Sequence, residues 1–386
     1  MKKKICVVTG SRADYGLLKP LMPSLQADKA FELQLVATGM HVSPEFGSTV
    51  NDIIRDGFTV SERIEMLLST DTPAGMGKSM GLGVIGFIDC FKRLQPDLVL
   101  VVGDRFEMFA VVTAASAMNI PIAHFSGGDI TEGAIDNQIR HAITKLSHIH
   151  FVGVESSAKR VKQMGEESWR VNVVGELCLD NIKNLDKLSE KQCERALGID
   201  LFARPLIVVT YHPVTLQPEQ TQIQITNLLE VLDHYRDSTI LFTYPNADSG
   251  GRLIISAIDA FISAHPNAKA FKSLGTRLYL NLLSHADLCV GNSSSGLVEA
   301  PSFSLPVLNI GNRQKGRLTA KNVISVEGDK QSISTGVKKG LSKQFKDSLA
   351  GMHNPYDKGG AVKNIINVLH KIRTTSELLD KKFVEA

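Results

Sequence analysis

Short β-branched runs alternate with helix-length stretches along the whole chain, an alternation that calls for parallel sheets with helices on both faces. In the first half the runs predict strands over Lys4–Thr9, Glu32–Thr38, Leu98–Val102, Ile120–His124, His150–Gly153 and Val171–Val174. Helical patterns fall between them at Tyr15–Gln26, Lys78–Leu94, Phe106–Met118 and Ile139–Leu146. Around Gly175–Pro205 the pattern turns charged and irregular, and Asn181–Leu197 reads as a linker with some helix. A second series follows, with strands over Leu206–Thr210, Thr239–Phe242, Leu288–Val290, Val307–Ile310 and Val323–Val326. At 386 residues the chain exceeds what one hydrophobic core usually serves. The expectation is an α/β protein of two similar domains, residues 1–178 and 179–360, facing a cleft. Residues 361–386 form a final helix able to cross back to the first domain.

Hydrophobic residues at 43% and charged residues at 22% are ordinary for a globular protein. The net charge is +3 and the only basic run is Lys2-Lys3-Lys4, which argues against nucleic acid and membrane surfaces as partners. No stretch approaches the ~20 apolar residues of a membrane span, and Ile5–Val8 is too short for a secretory signal. The five cysteines, Cys6, Cys90, Cys178, Cys193 and Cys289, are scattered through apolar runs without zinc spacing. They read as reduced core thiols, which points to the cytoplasm.

In parallel α/β sheets ligands bind outside the carboxyl ends of the strands, and the polar clusters of this sequence sit there. Asp287-Leu288-Cys289-Val290 runs into Gly291-Asn292-Ser293-Ser294-Ser295-Gly296-Leu297-Val298-Glu299. A strand breaking into a Gly/Ser turn that opens a helix collects backbone N–H groups, three hydroxyls and the positive end of a helix dipole at one point, which suits a phosphate. Glu299, four residues beyond Ser295, shares its helix face and is placed to accept from a sugar hydroxyl. Taken alone, the same residues also describe an ordinary serine N-cap.

Other strand ends carry further candidates. Thr9-Gly10-Ser11-Arg12-Ala13-Asp14 lacks both G-x-G-x-x-G and the Walker lysine, yet Arg12 stands where a guanidinium meets phosphate or pairs with Asp14. Strand Leu98–Val102 ends at Gly103-Asp104-Arg105, where Asp104 fits a helix cap or a catalytic carboxylate. The loop from His124 through Ser126-Gly127-Gly128-Asp129 to Asp136 and Arg140-His141 gathers acids and histidines at one sheet edge. Asp136 and Arg140, spaced by a helical turn, face one way, either as a surface ion pair or within an acid/base cluster. In the second half, prolines fix His212 and Asn246 at strand ends, and Arg313-Gln314-Lys315-Gly316-Arg317 forms a basic loop. Nothing resembles a Ser-His-Asp elbow, a metal triad or a cysteine nucleophile.

In this order, Gly10–Tyr15, Gly103-Asp104-Arg105, Gly127-Gly128-Asp129, Ile139–Lys145, His212-Pro213, Gly291–Gly296 and Arg313–Arg317 resemble the hydrolysing UDP-N-acetylglucosamine 2-epimerases over nearly the whole chain. The resemblance implies the GT-B fold, two Rossmann-like domains with parallel sheets facing a central cleft, and a homodimer or dimer of dimers. It implies conversion of UDP-N-acetylglucosamine to N-acetylmannosamine plus UDP, an early step toward sialic or related nonulosonic acids, or the same reaction on UDP-N,N′-diacetylbacillosamine. Neither metal nor redox cofactor is required. By resemblance Asp104, Asp136 and Arg140 match the sugar site. His212, Arg12, Arg105, Asn246, Ser293, Ser294, Ser295, Gly296 and Arg317 match the UDP side, and Glu299 the ribose contact. Many of the wider group carry a Glu two residues after the His matching His124, where this chain has Ser126. Asp129 is therefore expected to take over part of the C2 base role. A glycosyltransferase of the same fold is the other enzyme class, and the acids at 104, 129 and 136 argue against it.

Overall fold

The computed structural model describes residues 2–70, 72–131, 135–199, 202–214, 218–245, 250–372 and 378–385. Contacts divide the chain into two compact units. The first comprises Met1–Asp129, Ile135–Asp180 and Lys358–Ala386, and the second Ile130–Ala134 and Asn181–Asp357.

Among the described residues the first unit holds a parallel seven-stranded sheet of β1 (Lys3–Thr9), β2 (Phe31–Thr38), β3 (Val60–Ile64), β4 (Leu98–Val102), β5 (Ile122–Phe125), β6 (Ile149–Val152) and β7 (Val171–Val173). The second holds a parallel six-stranded sheet of β8 (Leu206–Thr210), β9 (Thr239–Thr243), β10 (Ala268–Phe271), β11 (Leu288–Gly291), β12 (Val307–Ile310) and β13 (Val323–Val326). Central strands such as β4 and β8 are buried at every position, because helices cover both faces. The strand orders are β3-β2-β1-β4-β5-β6-β7 and β10-β9-β8-β11-β12-β13. Each order reverses direction between its first and fourth strands, β1 beside β4 and β8 beside β11. The crevice at such a reversal, outside the carboxyl ends, is where doubly wound sheets bind ligands.

Local chemistry shapes two helices differently from the sequence reading. The predicted helix Tyr15–Gln26 is two, Arg12–Leu18 and Leu21–Ala27, because Pro20 has no N–H to continue the first and stands at the N-cap of the second. The helix predicted from Lys78 begins at Pro73, where Thr72 caps the Gly75 N–H at 3.1 Å and Pro73 occupies the first helical position.

The helix Ala361–Lys371 buries Ala361, Ile365 and Leu369 in the core of the first unit beside Leu25 and Phe31. Lys3 Nζ donates to its terminal carbonyls, Leu369 O at 3.0 Å and Ile372 O at 2.6 Å, as a cation does at a helix C-terminus. Asp180 accepts the Val362 N–H at 2.8 Å. All five cysteines are buried free thiols. Among the described residues no helix is long and apolar enough to cross a membrane.

Candidate active site

In the second unit the β8/β11 reversal is built around Asn292. This fully buried side chain accepts the His212 N–H at 2.7 Å and donates to His212 O at 2.9 Å, clasping the chain after β8 to the chain after β11. Asn292 O in turn accepts from Arg313 Nη1 at 3.1 Å and Gln314 Nε2 at 2.9 Å, which draws the basic loop after β12 to the same turn. Gly291 makes the turn possible. Its φ is +139° and a Cβ there would lie 1.9 Å from Thr210 O, so only glycine lets the two strand ends approach.

Ser293 is the N-cap of the short helix Ser294–Val298, its hydroxyl accepting the Ser295 N–H at 3.4 Å. Gly296 lies on Val307, with 2.8 Å left for a Cβ. Tyr279 OH donates to Ser295 Oγ at 2.9 Å, and the Ser295 hydroxyl also bonds Glu299. Burial raises the Glu299 carboxyl above its ordinary range, with the Ser295 hydrogen bond opposing it. Arg317 Nε donates to Ile130 O at 2.9 Å, within the same unit. Asn246 lies outside the described residues.

In the first unit the β1/β4 reversal carries the charged groups. Asp104, at the end of β4, is ion-paired to Arg140 of the helix Asp136–Leu146, whose guanidinium is almost fully buried. The cap of the following helix is Arg105, so Asp104 is not a helix cap. His124, from β5, fastens the two elements together. Its Nε2 donates to Gly103 O at 2.7 Å, and its Nδ1 faces Thr144 Oγ1 at 3.3 Å on the Arg140 helix. Burial holds His124 down at about 3, and the hydrogen bond to Gly103 does not offset this, so the ring is neutral at working pH. Asp136 is half-buried at the start of its helix.

Asp129 is buried and accepts the Ser157 hydroxyl at 2.6 Å. The Gly128 turn, at φ +73°, passes so close to Ser157 O that a Cβ would sit 2.4 Å from it. Ser126 itself adopts a left-handed φ of +61°, a conformation that costs a non-glycine residue energy and clusters at functional sites.

Arg105, expected on the UDP side, is buried and bonded to the fully buried Glu107 at 2.9 Å, beneath Gly10. Glu107 lies beside Asp14, whose carboxyl accepts the Gly10 N–H at 3.2 Å. Burial pushes Asp14 up to about 7, helped by Glu107 and opposed by Arg105. Arg12 remains half-buried at the β1 end, with Nη1 donating to Phe46 O at 3.5 Å. Among the described residues no cluster of three His, Cys, Asp or Glu is arranged to hold a metal ion.

A family model described as UDP-N-acetylglucosamine 2-epimerase matches residues 23–370. The chain belongs to the UDP-N-acetylglucosamine 2-epimerase family. It is 41% identical over 385 residues, 100% of this chain and 99% of the relative, to the Campylobacter jejuni protein named GDP/UDP-N,N′-diacetylbacillosamine 2-epimerase (hydrolyzing). It is 35% identical over 382 residues, 99% of each chain, to the Legionella pneumophila UDP-N,N′-diacetylbacillosamine 2-epimerase (hydrolyzing). The Neisseria meningitidis UDP-GlcNAc 2-epimerase structure bound to UDP-GlcNAc superposes with a TM-score of 0.81 at 21% identity, covering 96% of this chain and 100% of that one. That likeness establishes the fold, two parallel-sheet α/β domains of the GT-B type.

Within this epimerase-family chain, sequence reasoning passed over Tyr279, named Asn292 only as part of the serine turn, and read Arg313 only as part of the basic loop, either meeting phosphate or carboxylate or solvated. Asn292 had a signal, since an asparagine immediately after a strand and before a serine run is placed to hydrogen-bond a neighbouring strand end. Tyr279 had none, lying in a helix whose apolar face accounts for an aromatic without a site.

Proposed function

We propose that this chain is a hydrolysing 2-epimerase acting on UDP-N,N′-diacetylbacillosamine. The observation that carries the reading is the full-length identity to two relatives named for that substrate. It reverses the order of the two substrates drawn from the sequence, where UDP-N-acetylglucosamine came first. UDP-N-acetylglucosamine stays as the second reading, favoured by the 28% identical Neisseria meningitidis relative named for it.

In the proposed reaction a carboxylate takes the C2 proton while the C1–O bond to UDP breaks, leaving a glycal with a C1–C2 double bond. Water then adds, with hydroxyl to C1 and a proton to the opposite face of C2. The free 2-epimeric sugar and UDP leave. Two proton transfers need two groups of suitable basicity, and we assign them among Asp104, Asp129 and Asp136 of the first unit. Arg140 orients Asp104, and Ser157 orients Asp129. Charge grows on the departing diphosphate, and donors fixed beforehand stabilise it. We assign that work to Arg12, His212, Arg313 and the Ser293–Ser295 turn, with Glu299 on the ribose. The ring of His212 and the guanidinium of Arg313, both held at the turn around Asn292, supply these donors.

The reading is tested by kcat/KM measured on both UDP-sugars. A preference of about 10-fold or more for the diacetylated substrate supports it. Faster turnover of UDP-N-acetylglucosamine would restore the first substrate.

A further inference from the structure

The segment Leu378–Val384 of the first unit is bound to that unit by a buried polar network. Lys381 Nζ has three acceptors for its three N–H bonds: Glu166 Oε2 at 2.8 Å, Lys145 O at 2.6 Å and Ser147 O at 2.8 Å. Glu166 is itself buried and accepts from Lys145 Nζ at 2.6 Å and His150 Nε2 at 3.0 Å. Burial pushes the Glu166 carboxyl up, but the hydrogen bonds from His150, Lys145 and Lys381 outweigh it and hold it at about 2. The fully buried Arg170 donates to Leu378 O at 2.9 Å and Asp380 O at 2.8 Å. Val384 N–H reaches Gly165 O at 3.0 Å, and the exposed Phe383 ring lies where a Cβ on Gly165 would be, 2.4 Å away.

The Lys381 and Glu166 arm of this network reaches the last turn of the helix that carries Asp136 and Arg140 and its cap Ser147. Lys145 is in that turn, its side chain held by Glu166 and its carbonyl by Lys381, a cation at the negative end of the helix dipole. Beside it, His150 pairs in register with His124, which ties Thr144 of the same helix to Gly103, next to Asp104. A helix moves as a rod, so a shift at its last turn displaces the Arg140 guanidinium relative to Asp104.

We propose that Leu378–Val384 is a clamp setting the position of the helix Asp136–Leu146, with Lys381 the positioning residue that fixes the Asp104–Arg140 pair for the reaction. Lys381 touches neither substrate nor reacting atoms and acts through the helix. The catalytic half of the inference rests on the function proposed above, whereas the structural half stands on the network alone.

The test is Lys381→Met, which keeps the methylenes and removes the ammonium, read in two ways. Hydrogen exchange of the amides in Ile139–Leu146 is expected to speed up by about 10-fold or more in the variant. With the wild type turning over UDP-sugar, kcat is expected to fall on the order of 10-fold to 100-fold while KM stays within about twofold, and methylammonium added to Lys381→Ala is expected to restore part of kcat. If Lys381→Met does not fold, Phe383→Ala removes an exposed ring that packs over Gly165 and carries Lys145 Nζ 5.2 Å from its centroid, and faster exchange in the same helix is expected there too. Unchanged exchange in a folded variant overturns the clamp. Faster exchange with unchanged kcat overturns the positioning role. A wild type inactive on every UDP-sugar sinks the functional reading alone, since the exchange measurement needs no turnover.

Discussion

Arg140, nearly fully buried on the helix Asp136–Leu146, is ion-paired to Asp104 at the carboxyl end of β4, 36 residues away. The planar guanidinium fixes a carboxylate in orientation as well as in charge, which an ammonium does not. Arg140→Met is therefore expected to lower kcat by about 100-fold or more, with UDP affinity nearly unchanged. Arg140→Lys should fall between. Steady-state kinetics with a parallel UDP titration checks both, and equal losses of kcat and UDP binding would place Arg140 on the nucleotide instead.

Asn292→Ala removes both hydrogen bonds to the His212 backbone from a fully buried position. Stability is expected to drop by about 2 kcal/mol, because the His212 N–H and carbonyl lose their partner. UDP affinity should fall by about 10-fold as the turn loosens. Denaturant melts and calorimetric UDP titration read the two effects separately. Gly291→Ala is expected to be worse than either, given the collision with Thr210 O.

Asp14 carries a pH signature. Its folded carboxyl titrates at about 7 against an ordinary 3.8, so the folded state binds a proton that the unfolded state has released between those values. Stability from this group is thus undiminished below about pH 4 and falls as pH rises through 7. Asp14→Asn, which stays neutral, should be more stable than the wild type above pH 7 by on the order of 3 kcal/mol, with the gap closing near pH 4. Thermal melts across that range decide it, and a gap that widens toward acid would contradict the assignment.

Asp129 and Ser126 bear on which carboxylate is the base. Asp129→Asn is expected to abolish turnover by about 100-fold or more while leaving UDP binding intact, and Ser157→Ala to cost about 10-fold by freeing the carboxylate it orients. Undiminished turnover in Asp129→Asn would return the base role to Asp104 and Asp136.

The central strands were legible in the sequence because helices on both faces make them continuous apolar runs, as in Leu98–Val102 and Leu206–Thr210. β3 and β10 were not, because they are edge strands, and polar Ser61, Glu62, Arg63 and Lys269 interrupt their apolar pattern. The serine turn was legible as a strand breaking into caps. Its organiser Asn292 carried a local signal, but its partner His212 lies 80 residues away in sequence and could not be read from it. Spacing by one helical turn linked Arg140 to Asp136, while the partner Asp104 comes from another strand end and only the sheet order brings it close. The burial of Arg105 against Glu107 was not legible from its place beside Asp104, since it depends on a partner two residues on that turns into the interior.

The most direct measurement of the central claim is an NMR time course of the purified protein with UDP-N,N′-diacetylbacillosamine in D₂O. The account predicts free UDP together with the 2-epimeric sugar carrying deuterium at C2, because the C2 proton is removed and replaced from solvent. UDP release with protium retained at C2 would show hydrolysis without C2 chemistry, and would contradict it.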